Sequence, residues 1–214
     1  SKDIMGISHL LEHVVFRETK NHSSYQMAKK MEGAGGELNA FTGREMTAFF
    51  GVTIRETKDV AKDMVSDIVA NPLINESDVE LEKKIVRQEL SMIENEPEAY
   101  IHDLFSSNMW RGHPLSQDEG GRPEIVKGLG SKELRKYYEE RYGIPNISVF
   151  AAGAVDMDEV LSWAEEEFDQ LSGKIEIKRK KPKTPKAGYT FTENSSEHYH
   201  AAMGFPSYGP DHPD

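Results

Sequence analysis

His9-Leu10-Leu11-Glu12-His13 places two imidazoles four positions apart inside a run whose apolar residues, Ile4, Ile7, Leu10, Leu11, Val14 and Val15, recur at helical spacing. Four residues are about 400° of helical rotation, so His9 and His13 share one face, one turn apart. Two imidazoles so arranged can grip one metal ion, and zinc is the usual occupant. Glu12 is adjacent to His13 and three residues from His9, so its carboxylate points near such an ion without having to bind it. From there it can take a proton from a water held by the metal. The competing interpretation is a pair of surface histidines on an amphipathic helix. It is disfavoured because the flanking apolar residues turn this face toward the interior, where unsatisfied imidazoles are costly.

Two histidines leave a catalytic zinc one protein ligand short. The chain contains no cysteine, so the third ligand should be His, Glu or Asp. The same absence excludes disulfides and a cysteine nucleophile. Lys and Arg total 26 against 37 Asp and Glu, a net charge of −11. That balance opposes nucleic-acid binding as the main function, and it opposes a polybasic membrane anchor. No apolar run approaches the roughly 18 residues that span a bilayer. The basic stretch Lys174–Lys186 reads as a solvated loop that Pro182 and Pro185 keep extended.

The rest of the chain alternates helical and strand patterns. Helices are expected at Ile4–Arg17, Ser24–Glu32, Glu56–Val69, from an N-cap at Ser77 to about Asn95, and at Glu98–Met109, Pro123–Leu129, Ser131–Tyr142 and Asp156–Leu171. Glu37–Phe41 and Thr47–Ile54 read as a hairpin, Asn146–Ala154 as a buried strand, and Tyr189–Glu193 and His198–Phe205 as two further strands. Without a regular βαβ rhythm, the expected class is α+β, an antiparallel or mixed sheet packed with helices. Both ends read as cut, so residues 1–214 are expected to be one domain of a longer polypeptide. With no signal peptide visible, a cytoplasmic location is expected. His198 and His200 alternate on one strand face and read as a surface pair.

H-x-x-E-H is the signature of the inverzincins, and the sequence resembles the N-terminal catalytic domain of the pitrilysin family of zinc metallopeptidases. It looks closest to the short bacterial and archaeal, processing-peptidase-like members. The resemblance implies that Glu89, 76 residues after His13, completes the ligand set, and that Glu82, seven residues earlier, supports catalysis. Seven residues are about 700°, so Glu82 and Glu89 share a helix face, while a rise of about 10 Å between them argues against both ligating one ion. Gly35-Gly36-Glu37-Leu38-Asn39-Ala40-Phe41-Thr42 is similar to the family's substrate strand, which implies peptide contacts at Asn39, Ala40 and Phe41 by addition of an edge strand.

The function implied is zinc-dependent endopeptidase activity on peptides or unfolded polypeptides, with one Zn2+ ion for which Mn2+ or Co2+ could substitute. A second homologous domain or subunit, contributing an arginine and a tyrosine, and dimerisation are implied as well. The alternative is a non-catalytic core or interaction subunit of the same fold. Two departures from the family pattern stand out: Lys83 follows Glu82 where an arginine is usual, and Ser116-Gln117-Asp118-Glu119 replaces a Gly-Arg-Pro-like run.

Overall fold

The computed structural model describes residues 4–171, 173, 176, 178–193 and 197–209. Helix α1 spans Ile7–Val15 and buries Ile7, Leu10, Leu11, Val14 and Val15. It starts later than its apolar pattern because Gly6, at φ 83°, breaks the backbone before it, and it ends at a C-cap on Phe16. Helix α2, Ser24–Gly33, opens on a capping box in which Ser23 Oγ accepts from Gln26 N–H and Gln26 Oε1 accepts from Ser23 N–H. Strands β1, Glu37–Thr42, and β2, Thr47–Val52, pair antiparallel with Thr42 opposite Thr47.

Helices α3, Lys58–Ala70, and α4, Glu76–Glu94, follow. The α4 N-cap is Asn75 rather than Ser77. Glu76 and Asp78 occupy the first turn, where carboxylates complement the helix dipole, and Asn75 Nδ2 donates to Glu18. The remaining helices are α5, Pro97–Met109; α6, Pro123–Gly128; α7, Ser131–Arg141; and α8, Met157–Phe168. Asp156 caps α8 through the Asp158 and Glu159 N–H groups.

One core joins these elements. Leu10, Leu11 and Val14 of α1 meet Met64 and Ile68 of α3, Val79 and Val86 of α4, and Val126, Leu134 and Phe168 farther along the chain. A lone two-stranded hairpin is marginal in water. Here Phe49 lies between Phe16 and Tyr142, with ring centroids 6.4 Å from each. Lys58 and Lys62 donate to Glu159 and tie α3 to α8.

The three expected strands beyond the hairpin do not form among the described residues. Residues 147–152, 189–193 and 198–205 join no strand ladder among the described residues, and 194–196 lie outside those residues. Phe150, expected to be buried, is 92% exposed, and Tyr189, Phe191, Tyr199, Met203 and Phe205 are exposed too. Alternating apolar residues report what a pleated surface could bury; they do not supply the neighbouring strand whose hydrogen bonds make it a sheet. Among the described residues the fold is therefore α+β, rich in helix, with one two-stranded antiparallel sheet. No helix among the described residues is long and apolar enough to cross a membrane.

The α1–α2 connection is fixed by a buried carboxylate. Asp67, on α3, accepts from Thr19 Oγ1 at 2.5 Å, Asn21 Nδ2 at 2.6 Å and His22 Nδ1 at 2.8 Å. Lys30 Nζ donates to His22 Nε2, which assigns the His22 proton to Nδ1. Burial pushes the Asp67 pKa up, but the bonds from Thr19, His22 and Asn21 outweigh it and hold the group below the ordinary value. Asp67→Ala should therefore cost about 2 kcal/mol near neutral pH, since it strands the buried Thr19 hydroxyl and the half-buried His22 N–H. A depressed folded pKa stabilises above the unfolded value of about 3.9 and ceases to as pH falls through the folded value. Urea unfolding of both forms should show the gap at pH 7 narrowing below pH 4.

Candidate metal centre

Helix α1 presents His9, Glu12 and His13 on the side opposite its buried stripe, and α4 lies across that side. His9 Nε2 and His13 Nε2 face each other at 3.2 Å. Glu89 Oε2 stands 3.4 Å from His13 Nε2 and 3.9 Å from His9 Nε2. Ligand atoms of a tetrahedral zinc site, with bonds of about 2.0–2.1 Å, lie about 3.3 Å apart. The three atoms thus surround one point at the spacing a zinc ion requires. The Glu89 side chain is 42% exposed, so the point is open on one side.

Glu82 lies one step behind. It is 5% exposed; His13 Nδ1 donates to its Oε2 at 3.0 Å and Arg17 Nε to its Oε1. With its proton on Nδ1, His13 directs the Nε2 lone pair at the shared point. Burial pulls the His13 pKa down, but the Glu82 hydrogen bond and the charges of Glu89, Glu82 and Glu12 hold it above its ordinary value. His9 lacks such support: burial and the neighbouring His13 lower its pKa. Burial would raise Glu82, yet His13 and Arg17 keep it depressed.

Glu12 accepts a hydrogen bond from Thr42 Oγ1, the last residue of β1. A groove of about 420 Å³ runs beside these groups, lined by Glu12, His13 and Phe16 of the α1 segment, by Leu38, Asn39 and Ala40 of β1, and by Glu82. Asn39 and Phe41 point outward from β1, with Ala40 inward, so the three expected substrate contacts divide between its two faces.

The packing of α4 on α1 thus brings Glu82 and Glu89 to the place where His9, Glu12 and His13 stand, so all five residues expected from the sequence come together. Two partners were missed. Arg17 follows His13 by four residues, so helical spacing could have found it. Thr42 shares its β1 face with Ala40, but its proximity to Glu12 depends on how the hairpin docks. Another carboxylate group, Asp103, Asp118 and Glu119, gathers around Arg44, which donates to Asp103 Oδ1 and to the Leu115 and Gln117 carbonyls. Burial, with the charges of Asp118 and Glu119, pushes Asp103 up to about 6 against the pull of Arg44. His198 and His200 lie outside the centre. The described residues between 178 and 186 are largely exposed, and Lys174, at the head of the basic stretch, lies outside the described residues.

Residues 1–119 match the family model described as Insulinase (Peptidase family M16), and residues 129–214 match Peptidase M16 inactive domain. An uncharacterized zinc protease of Streptomyces coelicolor is 31% identical over 183 residues, 86% of this chain and 40% of that protein. An uncharacterized zinc protease of Bacillus subtilis is 29% identical over 172 residues, 80% of this chain and 42% of its own length. The chain therefore spans less than half the length of these relatives. A protease from Helicobacter pylori shares the fold, with a TM-score of 0.75 at 23% identity over 85% of this chain and 44% of that one. Pitrilysin does so at 0.71 and 23% identity, covering 86% of this chain and 20% of its own. With more than half its length matched by the first family model, the chain belongs to the insulinase family of peptidases, M16.

Proposed function

We propose that this chain carries the catalytic centre of a zinc-dependent endopeptidase, with His9, His13 and Glu89 holding one zinc ion. The observation that carries the proposal is the convergence of two Nε2 atoms and one carboxylate oxygen at 3.2, 3.4 and 3.9 Å. Two neutral imidazoles and one carboxylate suit zinc, and Mn2+ or Co2+ could replace it in the same donors. Bound there, the ion would polarise a carbonyl and lower the pKa of a water in its open position.

The protein's own groups do the rest. Glu12, oriented by Thr42, takes a proton from the attacking water on its free carboxylate oxygen and returns it to the leaving amine. Glu82 and Arg17 hold the His13 ring so that Nε2 stays a lone pair. A peptide lying along β1 as an added strand would bring its scissile bond past Glu12, with Asn39, Ala40 and Phe41 beside it. Main-chain pairing of that kind admits many sequences, which suits peptides and unfolded polypeptides.

Residues 1–214 are read as one catalytic domain, because Leu134 and Phe168, in the second matched segment, share one core with Leu10, in the first. The rest of the protein would supply a second homologous domain facing the centre, in the same chain or in a dimer. In the test, the intact protein is stripped with a chelator, reloaded with zinc and assayed on a quenched peptide. One zinc per centre by elemental analysis, with cleavage lost and regained, is expected. Undiminished cleavage by stripped protein would sink the proposal.

A further inference from the structure

A histidine that ligates through Nε2 must carry its proton on Nδ1, and that proton needs an acceptor. His13 has one in Glu82. His9 does not: its Nδ1 is buried without a hydrogen-bond partner. The loop before α6 supplies a candidate. Gly6 and Gly121, both at positive φ, pack backbone to backbone; a Cβ on Gly6 would stand 2.4 Å from the Gly120 carbonyl oxygen and one on Gly121 2.7 Å from the Gly6 Cα. This contact presses the loop against the start of α1 and turns the Gly120 carbonyl toward Gly6.

A Cβ on Gly120 would stand 3.4 Å from Asp118 Oδ1 and 3.7 Å from His9 Nδ1. Leu90 Cδ2 lies closer still, 2.6 Å from that Cβ, so Asp118, His9 and Leu90 all border Gly120. Only glycine leaves room for the carboxylate and the unpartnered nitrogen on the same side-chain-free position. Asp118 Oδ1 accepts from Gly120 N–H at 2.8 Å, which leaves Oδ2 for another donor. Arg44, from the hairpin turn, fixes the loop by donating to the Leu115 and Gln117 carbonyls.

We propose that Asp118 is the positioning residue of His9, accepting its Nδ1–H and so aiming Nε2 at the metal. The arrangement would parallel the other histidine, whose Nδ1 is backed by Glu82. This rests on the zinc reading above. Sequence spacing offers no hint of it, since Asp118 lies in the segment that departs from the family's usual run.

The test uses the intact protein and measures zinc affinity by competition with a chromophoric chelator. Outer-shell partners of metal-bound histidine are worth about 10–100-fold in affinity. Asp118→Ala should lose that much. Asp118→Asn, which keeps an acceptor oxygen and the Gly120 bond, should lose less and covers the case in which the alanine variant fails to fold. Glu119→Gln removes a neighbouring charge and should leave affinity within about twofold, well short of the outer-shell range. In zinc-loaded wild type the His9 Nδ1–H should give a low-field proton resonance that Asp118→Ala abolishes. Unchanged affinity and resonance in both Asp118 variants would overturn the proposal while leaving the metal centre standing. An equal loss in Glu119→Gln would reduce the effect to charge alone and overturn it too. Wild type that binds no zinc would overturn the centre itself and this inference with it.

Discussion

Replacing Glu12 by glutamine should lower peptide hydrolysis by at least roughly 10²-fold while zinc content stays at the wild-type level. The two outcomes separate because Glu12 stands beside the metal point without contributing to it: the converging atoms belong to His9, His13 and Glu89. Glutamine preserves the size of the side chain and can still accept from Thr42 Oγ1, so the groove and the hairpin contact survive. What it cannot do is take a proton at neutral pH. Elemental analysis and turnover on a quenched peptide, measured on the same preparation, check both halves. Hydrolysis within about threefold of wild type would remove Glu12 from the proton-transfer role, being far smaller than general-base effects.

Glu89→Gln should act the other way, on the metal first. An amide is a neutral and weaker donor than a carboxylate, so zinc affinity should fall by more than the roughly 10–100-fold typical of outer-shell partners. Activity at limiting zinc should fall with it and recover partly at high zinc. Because the side chain is 42% exposed, unfolding free energy of the zinc-free protein should change by less than about 0.5 kcal/mol. Glu82→Gln should give the contrasting pattern, since that group is 5% exposed and bonded to His13 and Arg17. Chelator competition and urea unfolding distinguish the two. Affinity for zinc unchanged in Glu89→Gln would show that the third ligand lies elsewhere.

These roles differ in how they could be read from the chain. His9, Glu12 and His13 lie within five residues, where helical periodicity alone sets their relative directions. Glu82 and Glu89 share a face for the same reason, but their distance from the histidines depends on how α4 crosses α1, and only family resemblance pointed there. The hairpin of β1 and β2 was legible because its partners are adjacent in the chain. The segments 147–152, 189–193 and 198–205 carry the same alternation and form no strand among the described residues, since alternation says nothing about whether a neighbour is present.

By itself the sequence determined the pair of imidazoles on one helical face, the carboxylate beside them, the exclusion of thiolate chemistry and the α+β class. All of these follow from periods of two or 3.6 residues and from composition. Only the tertiary structure decided that Glu89 comes within 3.4 Å of His13 Nε2 while Glu82 stops behind that ring, that Thr42 meets Glu12, and that Asp118 and His9, 109 residues apart, both border Gly120. Those meetings are set by how helices and loops settle on a shared core, around Leu10, Met64 and Val86, and by backbone contacts such as that of Gly6 with Gly121. Many dockings are compatible with the same local pattern, so the distance between remote side chains is a property of the packing and not of their spacing in sequence.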